Sequence, residues 1–223
     1  MRFLLLDDEK VSRYSLWQLL QTIPSAMIYE AEDAAQARKV LAKLSAPAVC
    51  LFDVRLPGES GLELLAWLRQ QPRYFGWPAF LVTGNDDADT RTKAAQLRVE
   101  GFLAKPPDQH SVERILSIST RFSGDLLPDP LELARRLGTA PGRLGSYVDA
   151  LQKQINELSK VSEEAAWRAQ LSRCVEVSKA LGSRYLLQVL RMLETATPAA
   201  RAEWLAAATF ALGGMRDRLL ETT

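Results

Sequence analysis

Short apolar runs alternate with amphipathic segments through the first 120 residues of the chain. The apolar runs end at acids, Thr or Lys-Pro and are predicted as five buried strands, namely Phe3–Leu6, Met27–Ala31, Ala48–Phe52, Ala79–Thr83 and Gly101–Ala104. The segments between and after them have helical spacing and are predicted as helices, namely 12–22, 33–44, 61–71, 88–97 and 111–122. Because parallel neighbouring strands need long crossover connections, the alternation predicts an α/β fold, a doubly wound five-stranded parallel sheet with helices on both faces.

The pattern changes near Gly124, where a turn-rich stretch containing Pro128 and Pro130 follows the last of these helices. Beyond it nothing resembles a strand, and apolar residues recur at helical spacing. We therefore predict a sheet domain over residues 1–122, a linker over 123–130 and an all-α bundle of four or five helices over 131–223.

Positive and negative charges are balanced along the 223-residue chain. Lys and Arg total 28 and Asp and Glu total 27, so the formal net charge is +1. This balance disfavours a protein whose main task is to grip nucleic acid phosphates or an anionic membrane.

The cysteines and the apolar runs indicate the cellular compartment. Cys50 and Cys174 are far apart and neither belongs to a C-x-x-C pair, so we expect no disulfide framework and no thiolate zinc site. Only four consecutive apolar residues precede Asp7, too few for a signal peptide, and no stretch supplies the ~20 apolar residues of a membrane-spanning helix. We expect a cytoplasmic protein with no membrane segment.

Three carboxylates follow two of the predicted strands. Asp7 and Asp8 come directly after the first strand, and Asp53 comes directly after the third. Ligands of such sheets bind beyond the carboxyl ends of the strands, where these side chains should converge. Like charges so close together repel one another, so we expect a cation among them, and oxygen ligands with open positions suit Mg²⁺.

The last two strands end at residues that would complement an anion. The fourth ends at Thr83, a hydroxyl donor, and the fifth is followed by Lys105. A lysine beside a metal and carboxylates is placed to meet a negatively charged group, most simply a phosphoryl group bonded to Asp53.

Four motifs at these strand ends resemble the receiver domain of two-component response regulators, namely Asp7-Asp8-Glu9, the run from Asp53 to Gly61, Thr83-Gly84 and the run from Gly101 to Pro106. The resemblance covers residues 1–122. It implies a flavodoxin-like receiver fold in which Asp53 is the phosphoacceptor. It also implies Mg²⁺ as cofactor, held directly by Asp8, Asp53 and the backbone carbonyl of Arg55, with Asp7 acting largely through water.

The same resemblance assigns catalytic and switch positions. Thr83 and Lys105 are similar to the family's charge-neutralising residues, and Thr83 with Phe102 is similar to its switch pair. Phosphorylation is then expected to draw Thr83 inward and to let Phe102 become buried, which changes the surrounding face.

The resemblance also implies partners. A sensor histidine kinase or a phosphotransfer protein would donate the phosphoryl group, and a downstream protein partner would read the result. A homodimer stays open, whereas DNA and membrane are not expected as partners. We expect the receiver to promote only its own phosphorylation and dephosphorylation, and we see no separate catalytic domain that would make the chain an enzyme.

The helical half allows three interpretations, of which the first is a DNA-binding helix-turn-helix over residues 131–148. The run from Leu133 to Leu144 has a small residue, a glycine and an apolar residue at plausible spacing for that motif. However, Pro141 and Gly142 would fall early in the recognition helix, and about seventy helical residues would stay unexplained.

The second interpretation is a protein-binding bundle. The segment from Ser178 to Glu194 resembles the later half of the signature of histidine phosphotransfer domains, with Leu181-Gly182-Ser183 in place of Leu-Gly-Ala. The phosphorylatable histidine of that family would fall at Ser172, and His110 is the single histidine of the chain. The resemblance therefore implies a degenerate phosphotransfer-like domain that cannot relay phosphate, and that could act as a decoy.

The third interpretation is a helical enzyme such as a phosphatase, with Glu157, Glu163 and Glu164 as candidate carboxylates. Acids near a helix start are more typical of a solvated face that complements the helix dipole. We favour the protein-binding bundle, with a DNA-binding transcriptional regulator as the alternative.

Overall fold

The computed structural model describes residues 1–84 and 88–220. Its first part is built on five parallel strands, namely β1 (Arg2–Leu6), β2 (Met27–Ala31), β3 (Val49–Asp53), β4 (Ala79–Thr83) and β5 (Gly101–Ala104). They pair in the order β2–β1–β3–β4–β5. This is the doubly wound parallel sheet that the alternation predicts.

Five helices connect and follow these strands, namely α1 (Lys10–Leu20), α2 (Ala34–Lys43), α3 (Gly61–Gln70), α4 (Ala88–Gln96) and α5 (Gln109–Leu126). The bounds agree with the predicted ones to within a residue or two, apart from the end of α5. The predicted linker over 123–130 is wrong in its first half, because α5 continues to Leu126. A glycine such as Gly124 costs a helix only about 1 kcal/mol, and Pro128 is the first residue that cannot continue it.

The central strands are buried on both faces, as parallel strands covered by helices must be. Every residue of β3 and β4 is buried. One face of the sheet packs a cluster that includes Phe3, Leu51 and Phe80 against Leu20 of α1 and Ile115 of α5. This packing holds the carboxyl ends of the strands in fixed positions.

Contacts divide the described chain into two compact units. The sheet unit comprises Met1–Gln71 and the described residues of Gly76–Arg121. The helical unit comprises the described residues from Phe122 onward together with Pro72–Phe75, a short segment that contains a 3-10 turn.

The helical unit contains five α-helices in its described residues, namely α6 (Pro130–Arg136), α7 (Leu144–Leu158), α8 (Glu164–Leu181), α9 (Arg184–Thr195) and α10 (Arg201–Leu220). Helix α7 packs against α8 and α10, and α9 packs against the same two helices. The predicted all-α bundle is confirmed.

Local signals in the sequence set the helix ends of this unit. Asp129 accepts hydrogen bonds from the first amides of α6, and Pro130 occupies the first turn, where its missing amide costs nothing. Gly182 ends α8 in the left-handed conformation with φ +73°, and Ser183 caps α9. Across the described residues, the search for a helix with the length and apolar character needed to cross a membrane finds none.

Candidate functional site

Three carboxylates meet where β1 and β3 end. Asp7, Asp8 and Asp53 can each bring one oxygen to within 4.8 Å of the others. The sheet order reverses at this place, since β2 lies on one side of β1 and β3 on the other, and such a reversal opens a crevice at the strand ends. The predicted convergence of the three side chains is therefore found.

Asp53 is buried with both carboxylate oxygens engaged. The residue is only 6% exposed. The amide of Arg55 donates to Oδ1 at 3.0 Å. The ammonium of Lys105 donates to Oδ2. Donors thus approach this carboxylate from two sides.

Asp7 is held by the beginning of α1. Its Oδ1 accepts a hydrogen bond from the amide of Glu9 at 2.9 Å, and its Oδ2 accepts one from the hydroxyl of Ser12 at 2.7 Å. Lys105 Nζ also lies 2.7 Å from Oδ2. Asp8, the next residue, is the exposed member of the cluster.

Lys105 places a positive charge beside the three carboxylates. Its amide donates to the carbonyl of Thr83 at 3.0 Å, which fixes the lysine at the joint ends of β4 and β5. Burial disfavours the charged ammonium, but hydrogen bonds to Asp53 and Asp7 outweigh that effect, so the pKa of Lys105 is raised above its ordinary value. The ammonium therefore carries its charge throughout the physiological range.

The loop after Asp53 is ordered by the start of α3. Ser60 and Glu63 form a capping box in which the Ser60 hydroxyl accepts from the Glu63 amide at 3.2 Å and the Glu63 carboxylate accepts from the Ser60 amide at 2.8 Å. The Ser60 amide and the Ser60 hydroxyl both donate to the Glu63 carboxylate, and these two bonds lower the pKa of the Glu63 carboxyl. Gly61 follows the cap and packs directly on the backbone of Asp53.

Thr83 and Phe102 border one cavity of about 480 Å³ beside the strand ends. Thr83 is 5% exposed, whereas the Phe102 side chain is half-buried. The guanidinium of Arg91 lies 5.8 Å from the centre of the Phe102 ring. The cavity leaves space next to both residues of the predicted switch pair.

The donor chemistry of the cluster fits Mg²⁺. All three carboxylates offer oxygen, the ligand atom that this hard cation prefers, and Asp8 is open to solvent. Three carboxylates with a single lysine leave a surplus of negative charge for a divalent cation to offset. Arg55, whose backbone carbonyl is a predicted Mg²⁺ ligand, donates its amide to the Asp53 carboxylate. It therefore lies in the same turn as Asp53, the predicted phosphoacceptor.

Sequence reasoning missed two residues that contact Asp7. Ser12 donates to its carboxylate, and Arg13 donates to its main-chain carbonyl at 2.7 Å. A signal was present for Arg13, because it shares the helical face of Leu16 and Leu20, where an apolar residue would be the ordinary choice.

The helical unit places its candidate residues in different environments. Ser172, at the position expected for a phosphotransfer histidine, is exposed on α8. Glu164 accepts hydrogen bonds from Arg168 and Arg201, so it belongs to an ion-pair network. Helix α7, which would be the recognition helix of a helix-turn-helix, buries one face that includes Val148 and Leu151 inside the bundle.

Comparison with known proteins identifies the sheet unit. Residues 3–117 match the family model of the response regulator receiver domain. The chain is similar to chemotaxis protein CheY of Pseudomonas aeruginosa, with 30% identity over 125 residues that cover 56% of this chain and 100% of that protein. It is also similar to response regulator protein PilR of the same organism, with 28% identity over 160 residues that cover 70% of this chain and 33% of PilR.

Similar chains also occur among solved structures. A response regulator receiver protein from Pseudomonas putida is 26% identical, with a TM-score of 0.48, and the match covers 54% of this chain and 95% of that one. The chain spans less than two thirds of the length of several of the curated relatives that it matches.

Proposed function

The chain belongs to the response regulator receiver family, and on that premise we propose that Asp53 accepts a phosphoryl group at a Mg²⁺ site and so switches protein contacts of the helical unit. Receiver domains of this family are phosphorylated on an aspartate, and response regulators act with sensor histidine kinases. For this chain we propose Asp53 as the phosphorylated aspartate, Thr83 and Lys105 as the residues that neutralise the phosphoryl charge, and a protein contact as the output.

One observation carries the choice of Asp53. It is the carboxylate at which the metal-binding cluster, the Arg55 amide and the Lys105 ammonium meet. Asp7 is bonded to Ser12 and Glu9 through both oxygens and serves the cluster as a fixed ligand. Asp8 has no comparable set of donors among the hydrogen bonds of the described residues and is open to solvent.

The transfer follows from these positions. An oxygen of Asp53 attacks the phosphorus of the donor, a new oxygen–phosphorus bond forms, and the bond from phosphorus to the donor breaks with its electron pair leaving on the donor. Lys105 and the Thr83 hydroxyl neutralise charge on the phosphoryl oxygens, and Lys105 exchanges one carboxylate contact for a phosphoryl contact. A bound Mg²⁺ would offset further charge on those oxygens.

The test of this step uses Asp53→Asn in the full chain. Incubation with acetyl phosphate and Mg²⁺ should add one phosphoryl group to the wild-type protein, as read by intact mass, and none to the variant. Asp129→Asn is the matched control, because asparagine caps a helix as well as aspartate does and Asp129 caps α6. Equal labelling of Asp53→Asn and wild type would refute the assignment.

For the output we propose a protein contact made by the helical unit, which resembles a phosphotransfer domain that lacks its histidine. The exposed position of Ser172 on α8 and the Gly182 turn into α9 support this proposal. Serine cannot replace an imidazole nucleophile in a phosphorelay, so the unit would bind partners as a decoy without passing on phosphate. We propose no separate catalytic activity, since Glu164 is committed to ion pairs with two arginines.

The donor would be a sensor histidine kinase or a phosphotransfer protein. Movement of Thr83 towards the phosphoryl group and burial of Phe102 in the adjoining cavity would carry the phosphorylated state to the protein surface. Cys50 and Cys174 are free, buried thiols, which supports residence in the reducing cytoplasm.

Competition measurements on the full chain test the output. Protein activated with beryllofluoride and Mg²⁺ should compete with an authentic histidine phosphotransfer protein for a receiver or kinase partner, and its competition should differ from that of the unactivated protein. Asp53→Asn should not respond to beryllofluoride. Tight, sequence-dependent DNA binding across a salt series, without such competition, would instead favour the transcriptional regulator.

A further inference from the structure

Arg13 is a buried cation on the core-facing side of α1. The residue is 7% exposed and lies on the same helical face as Leu16 and Leu20. A charged group in such a place is costly unless it is paired and fully hydrogen-bonded. The position therefore calls for a specific use of the guanidinium.

The guanidinium of Arg13 makes three contacts in different directions. Its Nε donates to Glu30 at 3.0 Å, and one terminal nitrogen donates to Glu32 at 2.8 Å. The other terminal nitrogen donates to the main-chain carbonyl of Asp7 at 2.7 Å. Glu30 is in β2 and Glu32 directly follows that strand, and both carboxylates reach solvent, so the pair neutralises Arg13 without being buried itself.

These contacts fix the backbone of Asp7 and Asp8, directly after β1. The Asp7 amide donates to the carbonyl of Ala31 at 3.2 Å, so the peptide groups on both sides of Asp7 are tied to the end of β2, one directly and one through Arg13. Asp8 continues from the peptide whose carbonyl Arg13 holds. The backbone that carries two of the three clustered carboxylates therefore has little freedom to move.

The hydrogen bonds that hold the Asp7 backbone matter most before a cation binds. The carboxylates of Asp7, Asp8 and Asp53 repel one another, and the cheapest relief would be an outward movement of the turn after β1. A ligand set that is already in place binds a metal more tightly, because no ordering has to occur on binding.

We propose that Arg13 is a positioning residue, which Glu30 and Glu32 orient, and that it holds Asp7 and Asp8 ready for the cation through the Asp7 carbonyl. This inference rests on the proposed function, since it concerns the same metal and phosphoryl site. Arginine suits the task because its planar group offers five donors in a fixed fork, whereas lysine offers a single point charge.

The test compares Mg²⁺ affinity, measured by titration calorimetry, in the full chain. Arg13→Met should weaken Mg²⁺ binding by roughly tenfold or more, in line with the loss of other groups that orient metal ligands. Arg13→Lys should recover part of the affinity, because an ammonium can still donate to the Asp7 carbonyl. Glu30→Gln with Glu32→Gln should cause a smaller loss, since Arg13 stays but is less firmly oriented.

Arg121→Met is the matched control. Arg121 pairs with Glu100 at 2.6 Å, and Glu100 directly precedes β5, at the ends of the strands opposite to the carboxylate cluster. This variant should keep wild-type Mg²⁺ affinity. The melting temperature of each variant in EDTA reports any purely structural effect of the substitution.

Two results separate this inference from the proposed function. A wild-type protein that neither binds Mg²⁺ nor accepts a phosphoryl group overturns the proposed function itself. A wild-type protein that does both, with Mg²⁺ affinity of Arg13→Met within twofold of it, overturns only the role of Arg13. If Arg13→Met fails to fold, equal affinity of wild type, Arg13→Lys and the Glu30–Glu32 double variant overturns it.

Discussion

Gly61 lies so close to Asp53 that an added Cβ would stand 2.0 Å from the main-chain oxygen of Asp53. No side chain can occupy that space, so the first turn of α3 rests directly on the end of β3. The strand that carries the proposed phosphoacceptor is thereby fixed to the helix that follows it.

Substitution of Gly61 by alanine should separate α3 from the end of β3. We expect Gly61→Ala to lower the free energy of unfolding by about 2 to 3 kcal/mol, because backbone that cannot bend away must shift. Urea denaturation monitored by circular dichroism measures this loss.

Gly145→Ala provides the control for that measurement. Outside its own stretch of α7, no atom of the described residues lies within 4 Å of a Cβ added at Gly145. Alanine there should leave stability unchanged or raise it by up to about 1 kcal/mol, since alanine is the better helix former. Equal losses in the two variants would show that the Gly61–Asp53 contact has no special cost.

Lys105 should stabilise the metal-free protein through its charge. We expect Lys105→Met to lower the free energy of unfolding in EDTA by about 1 kcal/mol at neutral pH, a modest figure because the ammonium is partly solvated. Asp7 and Asp53 then repel each other without a cation between them. Addition of Mg²⁺ should restore part of the lost stability, which thermal melts with and without the metal measure.

The contribution of Lys105 should also depend on pH. Its pKa is raised in the folded protein, so the stabilisation is complete below the ordinary lysine pKa of about 10.4 and is lost as the pH rises through the raised value. The difference between wild type and Lys105→Met in EDTA should therefore be constant from pH 7 to 9 and shrink in strongly alkaline buffer. A difference that shrinks between pH 7 and 9 would contradict the raised pKa.

Arg201 should matter more to the helical unit than its neighbour Arg168. Its guanidinium lies 3.7 Å from the centre of the Trp167 ring and donates twice to Glu164 at 2.9 Å. We expect Arg201→Lys to lower the melting temperature, because lysine lacks the planar group that stacks and forms paired hydrogen bonds.

Arg168→Lys is the comparison for that prediction. Arg168 donates to the same Glu164 carboxylate from a largely exposed position. Its replacement should leave the melting temperature nearly unchanged. A larger loss for Arg168→Lys than for Arg201→Lys would contradict the stacking of Arg201 on Trp167.

The fold and the acidic cluster follow from local sequence signals. Each strand end carries its own polar residue, and parallel strands bring such ends to one edge, so Asp7, Asp8 and Asp53 could be placed together before any coordinates were known. The predicted linker was wrong in its first half because turn-forming residues after Phe122 outweighed the helical pattern that continues to Leu126.

Contacts between distant residues were out of reach of the same reasoning. Arg13 reaches Glu30 and Glu32, and only the register of α1 against β2 determines that it does so. Likewise Phe75 meets Trp204 edge to face at 5.5 Å, although well over a hundred residues separate them. Spacing along the chain carries no information about such pairs.

Pro72–Phe75 belongs to the helical unit although the residues on both sides of it belong to the sheet unit. The Arg73 guanidinium lies 4.4 Å from the centre of the Phe210 ring, and Phe75 meets Trp204, so two residues of this segment contact aromatic side chains of α10. The polypeptide passes from one unit to the other at Gln71–Pro72, Phe75–Gly76 and Arg121–Phe122. A chain cut after residue 122 would leave Arg73 and Phe75 without these aromatic partners, so the packing of Pro72–Phe75 depends on residues that come more than a hundred positions later.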